Sequence, residues 1–597
     1  MLSECEAIFR KWAEEERGGV ENELLDSYIL SEGDYLLVHR DGKIDHVAVS
    51  KATDKKAEDK IQISTSDEEL IDKIKFFDFY SKIININKRI STIGADKKIQ
   101  SNNYLSFFVK WSSILATTEK EKLTHALIDA YFNALKNPED PEKGYKGEDH
   151  KVYQMIVSSL PGVDMEKLET NREWIKEHIF KLDELGIDFN KKLYLKIFFE
   201  ANDDTYVTEN NRYVMTKIFG KNEENVFAGN QILGIPNDNI TLNDKKVFLK
   251  NKANKVEPPY MLSIEDAVRQ HDFFLFLTNA ANGGKTCLYF NTDEDADPSE
   301  LIEFSNNGLP SHDKFTGHFL KIRNKNGLAE IVYHDIIVNY REKLERQFDY
   351  KNILGTSEFD DKQLYKVYDT RTEILNLIND VLFSKYLKNN FFTNAGDISV
   401  SGNLKDNILL YREPIRLWIY NNVELGVQNV LHKLSMSRIF DCIQNGYFLK
   451  AREQFNLMCA FDTYFGGINM EDRYGNVRDK LREKINNDGE FKIDDDVEYY
   501  YAIGQLTNYF ISLSKASSKK HSDANSILRL SSDQKIRTRL RQLYEKYNYR
   551  LNFYGMRFNR LYSMILNYKM DSKKKISRED MLAGYLDKNL MYEPAKK

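Results

Sequence analysis

Apolar positions recur most regularly near the C-terminal end of the chain. Ile536, Leu540, Leu543, Tyr547, Leu551, Tyr554, Phe558, Leu561, Ile565 and Tyr568 follow at steps of four and three, which predicts one narrow helical stripe. At about 100° per residue, Arg539, Lys546, Arg550 and Arg557 share one flank of that stripe, and Arg537 and Arg541 the other. A helix over 501–510 precedes it, and a last helix runs from Arg578 through Leu586. The acidic run from Asp488 to Glu498 reads as a linker or a helix cap.

Further upstream, 409–465 is helical and ends at Gly466-Gly467, 389–408 is a Gly- and Asn-rich loop, and 340–388 follows a helical pattern broken near Gly355. Leu2, Ile8, Phe9 and Trp12 can form one face of a helix over 2–16. The run Tyr35 to Val49 reads as a hairpin, because Asp41-Gly42 suits a tight turn. Helices follow over 67–80 and 119–137, the second stopped by Asn137-Pro138. Residues 151–200 read as helices ending in Leu193 to Phe199. Residues 262–277 read as a buried helix opened by Ser263 and Asp266, and 288–330 as strands and turns. The fold class expected is α+β: a mixed α/β region over 1–335, a helical connector over 336–490 and a C-terminal helical bundle over 491–597.

Composition narrows the function classes. The 597 residues are 41% hydrophobic and 30% charged, as in a globular chain with a sizeable core. Cys5, Cys287, Cys442 and Cys459 form no CxxC pair, which argues against a zinc ribbon and for a reduced, cytoplasmic protein. No apolar run approaches a membrane span, and the acidic start is unlike a targeting peptide. Net charge is -6, yet 511–560 holds 12 Lys+Arg against 3 Asp+Glu in a chain otherwise acidic. A packed bundle with a basic face fits a nucleic-acid backbone, although long cations covering an apolar edge would look the same.

Other segments carry candidate chemistry. Residues 82–103 are basic and amide-rich: Lys82, Lys88, Arg89, Lys97 and Lys98 face one acid, Asp96, and Asn102 and Asn103 follow. Lys and Arg neutralise phosphates, while amides bond phosphate oxygens or base edges. Lys245, Lys246, Lys250, Lys252 and Lys255 form a second cluster, equally readable as a lysine-protected edge strand. Thr278 to Thr286 lacks a P-loop's first glycine, since Asn279 stands there, and it follows a helix rather than a strand. A glycine loop of this kind could approach a DNA groove through Asn279, Asn282, Gly283, Gly284 and Lys285. His271-Asp272 is a lone pair with too few companions for a metal phosphohydrolase. His39 and His46 flank the hairpin turn without a third ligand and read as ordinary strand residues.

Three blocks also resemble one family in the same order. They lie at about 26–115, with Ser101 to Lys110 its centre; at 190–280, with Lys217 to Gly220 and Leu242 to Leu249; and at 498–592, with Tyr500 to Ser522, Arg557 to Tyr568 and Ile576 to Tyr592. Together they resemble the large subunit of type I-B CRISPR Cascade complexes. Some relatives place a zinc-binding cysteine pair in the second block; this chain has no cysteine between Cys5 and Cys287, so no zinc is expected there. The resemblance implies a non-catalytic scaffold without cofactor. Its partners would be crRNA, target double-stranded DNA with its displaced strand, the other Cascade subunits and a helicase-nuclease. It would read a short protospacer-adjacent motif while guide pairing reads the long sequence. On physical grounds Lys88, Arg89, Lys97, Lys98, Asn102, Asn103, Lys245 and Lys246 would lie near handle or motif. Asn279, Asn282, Gly283, Gly284 and Lys285 would lie near the duplex. Lys519, Lys520, Arg539, Lys546, Arg550 and Arg557 would hold a DNA strand. The alternatives are a metal-dependent nuclease or nucleotidase at His271 and Asp272, or a purely protein-binding helical scaffold.

Overall fold

The structure is a computed structural model. It describes all residues except 53–60, 91–97, 119, 141–144, 146, 221, 223–224, 230, 240–260, 306–307, 326, 355–363, 468, 490, 515–520, 552–554, 571–574 and 594–597. The class is α+β. Two compact units divide the chain: Met1–Phe304 with Ile322–Ile331, and Ser305–Lys321 with Val332–Lys597.

The first unit is built on a five-stranded sheet in the order β3-β2-β1-β5-β4, where β1 is Gly33–Val38, β2 Ile44–Lys51, β3 Ile61–Ile63, β4 Ser106–Lys110 and β5 Tyr194–Phe199. β1 and β2 form the expected hairpin around Asp41-Gly42. β5 corrects the sequence reading, which took 193–199 as the end of a helix. It lies between β1, which it pairs in parallel, and antiparallel β4. A strand buried on both faces is a short continuous apolar run, and such a run carries no period to distinguish it from a helix.

One polar side chain breaks that run. Lys196, in mid-β5, is buried, and its Nζ donates to both carboxylate oxygens of Asp78 at 2.7 and 2.8 Å. Tyr28 donates to the same carboxylate at 2.7 Å, and Ser31 Oγ accepts from Lys196 at 3.0 Å. The buried charges are thus paired and hydrogen-bonded, the condition for tolerating them inside. Helix Glu68–Phe79, capped by Asp67, meets helix Asp203–Lys217 through stacked Phe77 and Tyr206 rings, and Phe77 lies 6.2 Å from Phe198 of β5. Helix Ile264–Asn282 opens on the expected Ser263 cap.

The second unit corrects the sequence over 340–388. Strands occupy Lys343–Asp349 and Val367–Thr370 and pair antiparallel; helix begins only at Arg371. From Gly402 onward it is helical. Helices Val427–Gln444, Phe448–Gly466, Met470–Asn486, Asp496–Ser512, Asp533–Tyr547, Met556–Asn567 and Arg578–Leu586 contribute to one continuous core. That core spans both the connector and the bundle that the sequence separated near 490. The acidic run becomes a cap there, since Asp495 accepts from the Glu498 amide.

The C-terminal stripe is apolar core, as expected, but it is folded back on itself. Helix Asp533–Tyr547 stops, and helix Met556–Asn567 returns beside it. Tyr544 stacks on Tyr562 at 5.2 Å and on Phe558 at 6.3 Å. Arg537, near the start of the first helix, donates to the carbonyls of Ile565, Leu566 and Tyr568 at the end of the second. The pair is an antiparallel hairpin, so the angular argument that put Arg550 and Arg557 on one flank with Arg539 holds only as far as Tyr547. Among the described residues no helix is long and apolar enough to cross a membrane.

Candidate nucleic-acid interface

The amide-rich segment of the first unit is internal. Asn102 and Asn103 are 1% and 0% exposed. Asn102 Nδ2 donates to the Lys82 carbonyl and to Asn210 Oδ1; Asn103 Nδ2 donates to the Tyr80 carbonyl, and its Oδ1 accepts from the Leu105 amide. These amides join the turn after Phe79 to β4 and to helix Asp203–Lys217. The expectation that they touch RNA or DNA is therefore corrected, since their bonding groups are satisfied out of solvent.

The cations nearby are also engaged. Lys88 Nζ donates to the carbonyls of Phe219 and Gly220, and Arg89 donates to the Ile86 carbonyl at 3.3 Å. Lys82 lies 3.8 Å over the Tyr28 ring, and burial pulls it down to about 7, so it carries only part of its charge at neutral pH. Lys98 is half-buried. Lys97, Lys245 and Lys246 lie outside the described residues.

The glycine loop is a helix terminus. The Gly283, Gly284 and Lys285 amides donate back to Asn279, Ala281 and Ala280 at 2.9, 3.1 and 2.9 Å, and Gly284 takes a left-handed φ of +84°. Those N–H groups are thus turned into the helix and cannot cradle a phosphate. A helix C-terminus also presents the negative end of its dipole. Asn279 is buried and donates to the Leu24 carbonyl and to Ser27 Oγ; Asn282 accepts from Asn324; the Lys285 ammonium sits 4.3 Å over the Phe304 ring. The groove-approach expectation is corrected for Asn279 by its burial and for the loop amides by their bonds into the helix; Gly283 and Lys285 are exposed.

His271 and Asp272 are divided between partners. His271 Nδ1 lies 3.2 Å from Asp238, and Asp272 accepts from Arg10 at 3.1 Å. Among the described residues no third ligand joins them. The hairpin histidines each face a carboxylate: His39, just past β1, lies 2.8 Å from Asp45, and His46 of β2 lies 3.0 Å from Asp34.

The second unit gathers more of its cations. Arg539 Nε donates to Ser526 Oγ at 3.1 Å, Lys546 stands 3.7 Å from Asp523, and Arg550 donates to the Leu513 carbonyl at 2.7 Å. Their partners are Ser526, Asp523 and Leu513, which lie before and after 515–520 in the chain. Lys519 and Lys520 lie outside the described residues. Arg557 turns elsewhere, to the Glu593 carbonyl.

Beside the hairpin opens a cleft of about 720 Å³. Its wall is the outer face of helix Met556–Asn567, where Asn559, Ser563 and Asn567 recur every four residues. Lys484, Lys492, Arg560 and Lys569 stand around it, with Phe491 and Tyr568 as its aromatic surfaces. Lys484 is paired with Glu498 at 2.8 Å and Arg560 with Asp488, whereas Lys492 and Lys569 are exposed. A row of amides and a hydroxyl between cations and aromatic rings can meet phosphates, base edges and base faces together. Sequence reading missed this cleft because its residues come from three separated segments. The polar i, i+4, i+8 series on the face opposite the stripe was the available signal.

A second polar grouping lies where three helices approach. His432, Asp462 and Glu579 each offer a ligand atom, and these atoms all lie within 4.8 Å of one another. His432 Nδ1 is 3.3 Å from Asp462 Oδ2, and that contact holds the imidazole pKa above its ordinary value. Burial, reinforced by the Asp462 charge, pushes the Glu579 carboxyl up. Nothing in the spacing of these three residues announces the cluster. No known protein family, curated protein or solved structure matches this chain.

Proposed function

We propose that this chain is the non-catalytic large subunit of an RNA-guided DNA surveillance complex, similar to those of type I-B CRISPR Cascade. It would sit at the crRNA 5′ handle in the cytoplasm, recognise a short protospacer-adjacent motif in duplex DNA, help open it and recruit the helicase-nuclease. The observation that carries the nucleic-acid part of this reading is the cleft of the second unit, where Lys492 and Lys569 flank Asn559, Ser563, Asn567, Phe491 and Tyr568. That composition suits a displaced single strand, held through backbone charge and stacking without sequence readout. The ordered resemblance of three sequence blocks supplies the identity of the complex. The interior placement of Asn102, Asn103 and Asn279 moves the candidate contacts away from the first unit's amides and toward the helical unit.

The test is co-expression with the other subunits and crRNA of the same locus, followed by purification through a tag on this chain. A short RNA of uniform length with a repeat-derived 5′ end, and motif-dependent duplex binding by the eluate, are the expected results. Soluble partners that never associate with the chain, and an eluate without RNA, would overturn the reading.

A further inference from the structure

Three helices of the second unit converge on His432, Asp462 and Glu579. His432 comes from helix Val427–Gln444, Asp462 from Phe448–Gly466 and Glu579 from the first turn of Arg578–Leu586. We infer that these three side chains form a binding site for a divalent transition-metal ion of the Zn²⁺ class, one that fastens the last helix to the helix pair beneath it.

The geometry suits such an ion. Ligand atoms bound at about 2.0–2.2 Å around a tetrahedral centre stand roughly 3.3–3.6 Å apart. His432 Nδ1 and Asp462 Oδ2 already meet that spacing at 3.3 Å, and the Glu579 ligand atom lies within 4.8 Å of both. A side-chain adjustment of Glu579, the longest and most flexible of the three, would close the set.

Each carboxylate also has an outer partner that sets its direction. Gln428, one turn before His432, approaches Asp462 Oδ1 through Nε2 at 3.4 Å. The buried Tyr474 hydroxyl donates to Glu579 Oε1 at 3.2 Å and to Asp580 at 3.0 Å. Outer hydrogen bonds of this kind orient ligands in metal sites.

Charge points the same way. Asp580, next to Glu579, is matched by Arg473 at 2.8 Å. Among the described residues, Asp462 and Glu579 have no Lys or Arg at ion-pair distance; a single imidazole faces both. Two half-buried carboxylates so placed repel each other. A divalent cation between them removes that repulsion. The imidazole favours a first-row transition ion over Mg²⁺ or Ca²⁺, which take oxygen ligands. Three protein ligands leave a further position for water.

The location gives the ion a structural consequence. Glu579 opens the helix that carries Gly584, and Gly584 packs backbone-to-backbone on Gly504 of helix Asp496–Ser512. An ion at Glu579 would tie that crossing to helices Val427–Gln444 and Phe448–Gly466.

The test uses the untagged, metal-stripped full chain, titrated with Zn²⁺, Mn²⁺ and Mg²⁺ by calorimetry and followed by thermal unfolding. The expected result is one equivalent of Zn²⁺ bound, a raised Tm, no response to Mg²⁺, and affinity lowered about tenfold or more in Glu579→Gln and in His432→Gln. X-ray absorption of the Zn²⁺-loaded wild type would report a nitrogen and oxygen shell with one imidazole, a readout that needs no variant to fold. A wild type that binds no stoichiometric Zn²⁺, variants that bind it as tightly as wild type, or a sulfur-containing shell would each overturn the inference.

Discussion

Gly504 and Gly584 bring two helix backbones into direct contact. A Cβ on Gly504 would stand 2.2 Å from the Met581 carbonyl oxygen, and one on Gly584 would stand 2.0 Å from that of Tyr501. Gln505 Nε2 donates to the Gly584 carbonyl at 2.6 Å and Asn508 Nδ2 to that of Tyr585 at 2.8 Å, so the close approach also creates hydrogen bonds between the helices. The atoms that a methyl group would meet are backbone and cannot swing aside. Gly504→Ala and Gly584→Ala should each destabilise the chain by about 3 kcal/mol, the upper range for overpacking a tight interior. Urea unfolding midpoints measure this, and a loss below about 0.5 kcal/mol in either variant would contradict the packing account.

Arg537 supplies the second prediction. Its guanidinium reaches three carbonyls at the end of helix Met556–Asn567, and its Nε donates to Asp533 at 2.7 Å. Removing it in Arg537→Ala leaves helix-terminal carbonyls without a charged donor and should cost about 2 kcal/mol. Arg537→Lys should recover less than half of that, because an ammonium cannot reproduce the planar fork. Thermal unfolding of the two variants separates fork geometry from charge. Equal recovery by lysine would reduce the contact to simple electrostatics.

Acid should act through Asp34. This buried carboxylate accepts from His46 at 3.0 Å, Trp111 Nε1 at 2.7 Å and the amides of Asn190 and Lys191 at 3.0 Å each. Burial works against the charge, but the four donors prevail and hold its carboxyl below the ordinary value. As pH falls, the unfolded chain therefore takes up this proton before the folded one does. The contribution is complete above about pH 4 and is lost as pH falls through the depressed folded pKa. Asp34→Asn should cost about 3 kcal/mol at pH 7, since its NH₂ turns a donor toward donors. The gap between wild type and variant should narrow below about pH 4 in matched denaturant titrations. A gap that is constant across pH would remove Asp34 from the acid response.

The cleft gives a binding prediction. Lys492→Glu with Lys569→Glu should weaken single-stranded DNA binding uniformly across sequences. The slope of log affinity against log salt should fall by about one for each lost phosphate contact. Arg539→Ala, Lys546→Ala and Arg550→Ala test the cations held by Ser526, Asp523 and Leu513 in the same way. Fluorescence anisotropy over a salt series distinguishes them, and an unchanged affinity and slope in both sets would remove the helical unit from strand binding.

Local patterns in the sequence determined much of the secondary structure. Asp67, Ser263 and Asp495 cap the helices they precede, Asp41-Gly42 turns its hairpin, and the apolar series from Ile536 to Ile565 is buried wherever it is described. These depend on neighbours within a few residues, so a linear reading reaches them. Three decisions belonged to the tertiary structure. Tyr194–Phe199 became a central strand because β1 and β4 offered it two hydrogen-bonding edges, a fact absent from its own run of residues. The stripe reversed after Tyr547 because the returning helix Met556–Asn567 packs its rings on Tyr544 and meets Arg537 at its end. Polar residues were sorted by burial, which composition does not encode. Asn102, Asn103 and Asn279 went inside to join backbone segments, while Asn559, Ser563 and Asn567 stayed on a cleft wall and His432, Asp462 and Glu579 met across three helices. An amide or a carboxylate has the same chemistry in either place; only the packing around it decides whether that chemistry holds the protein together or faces a ligand.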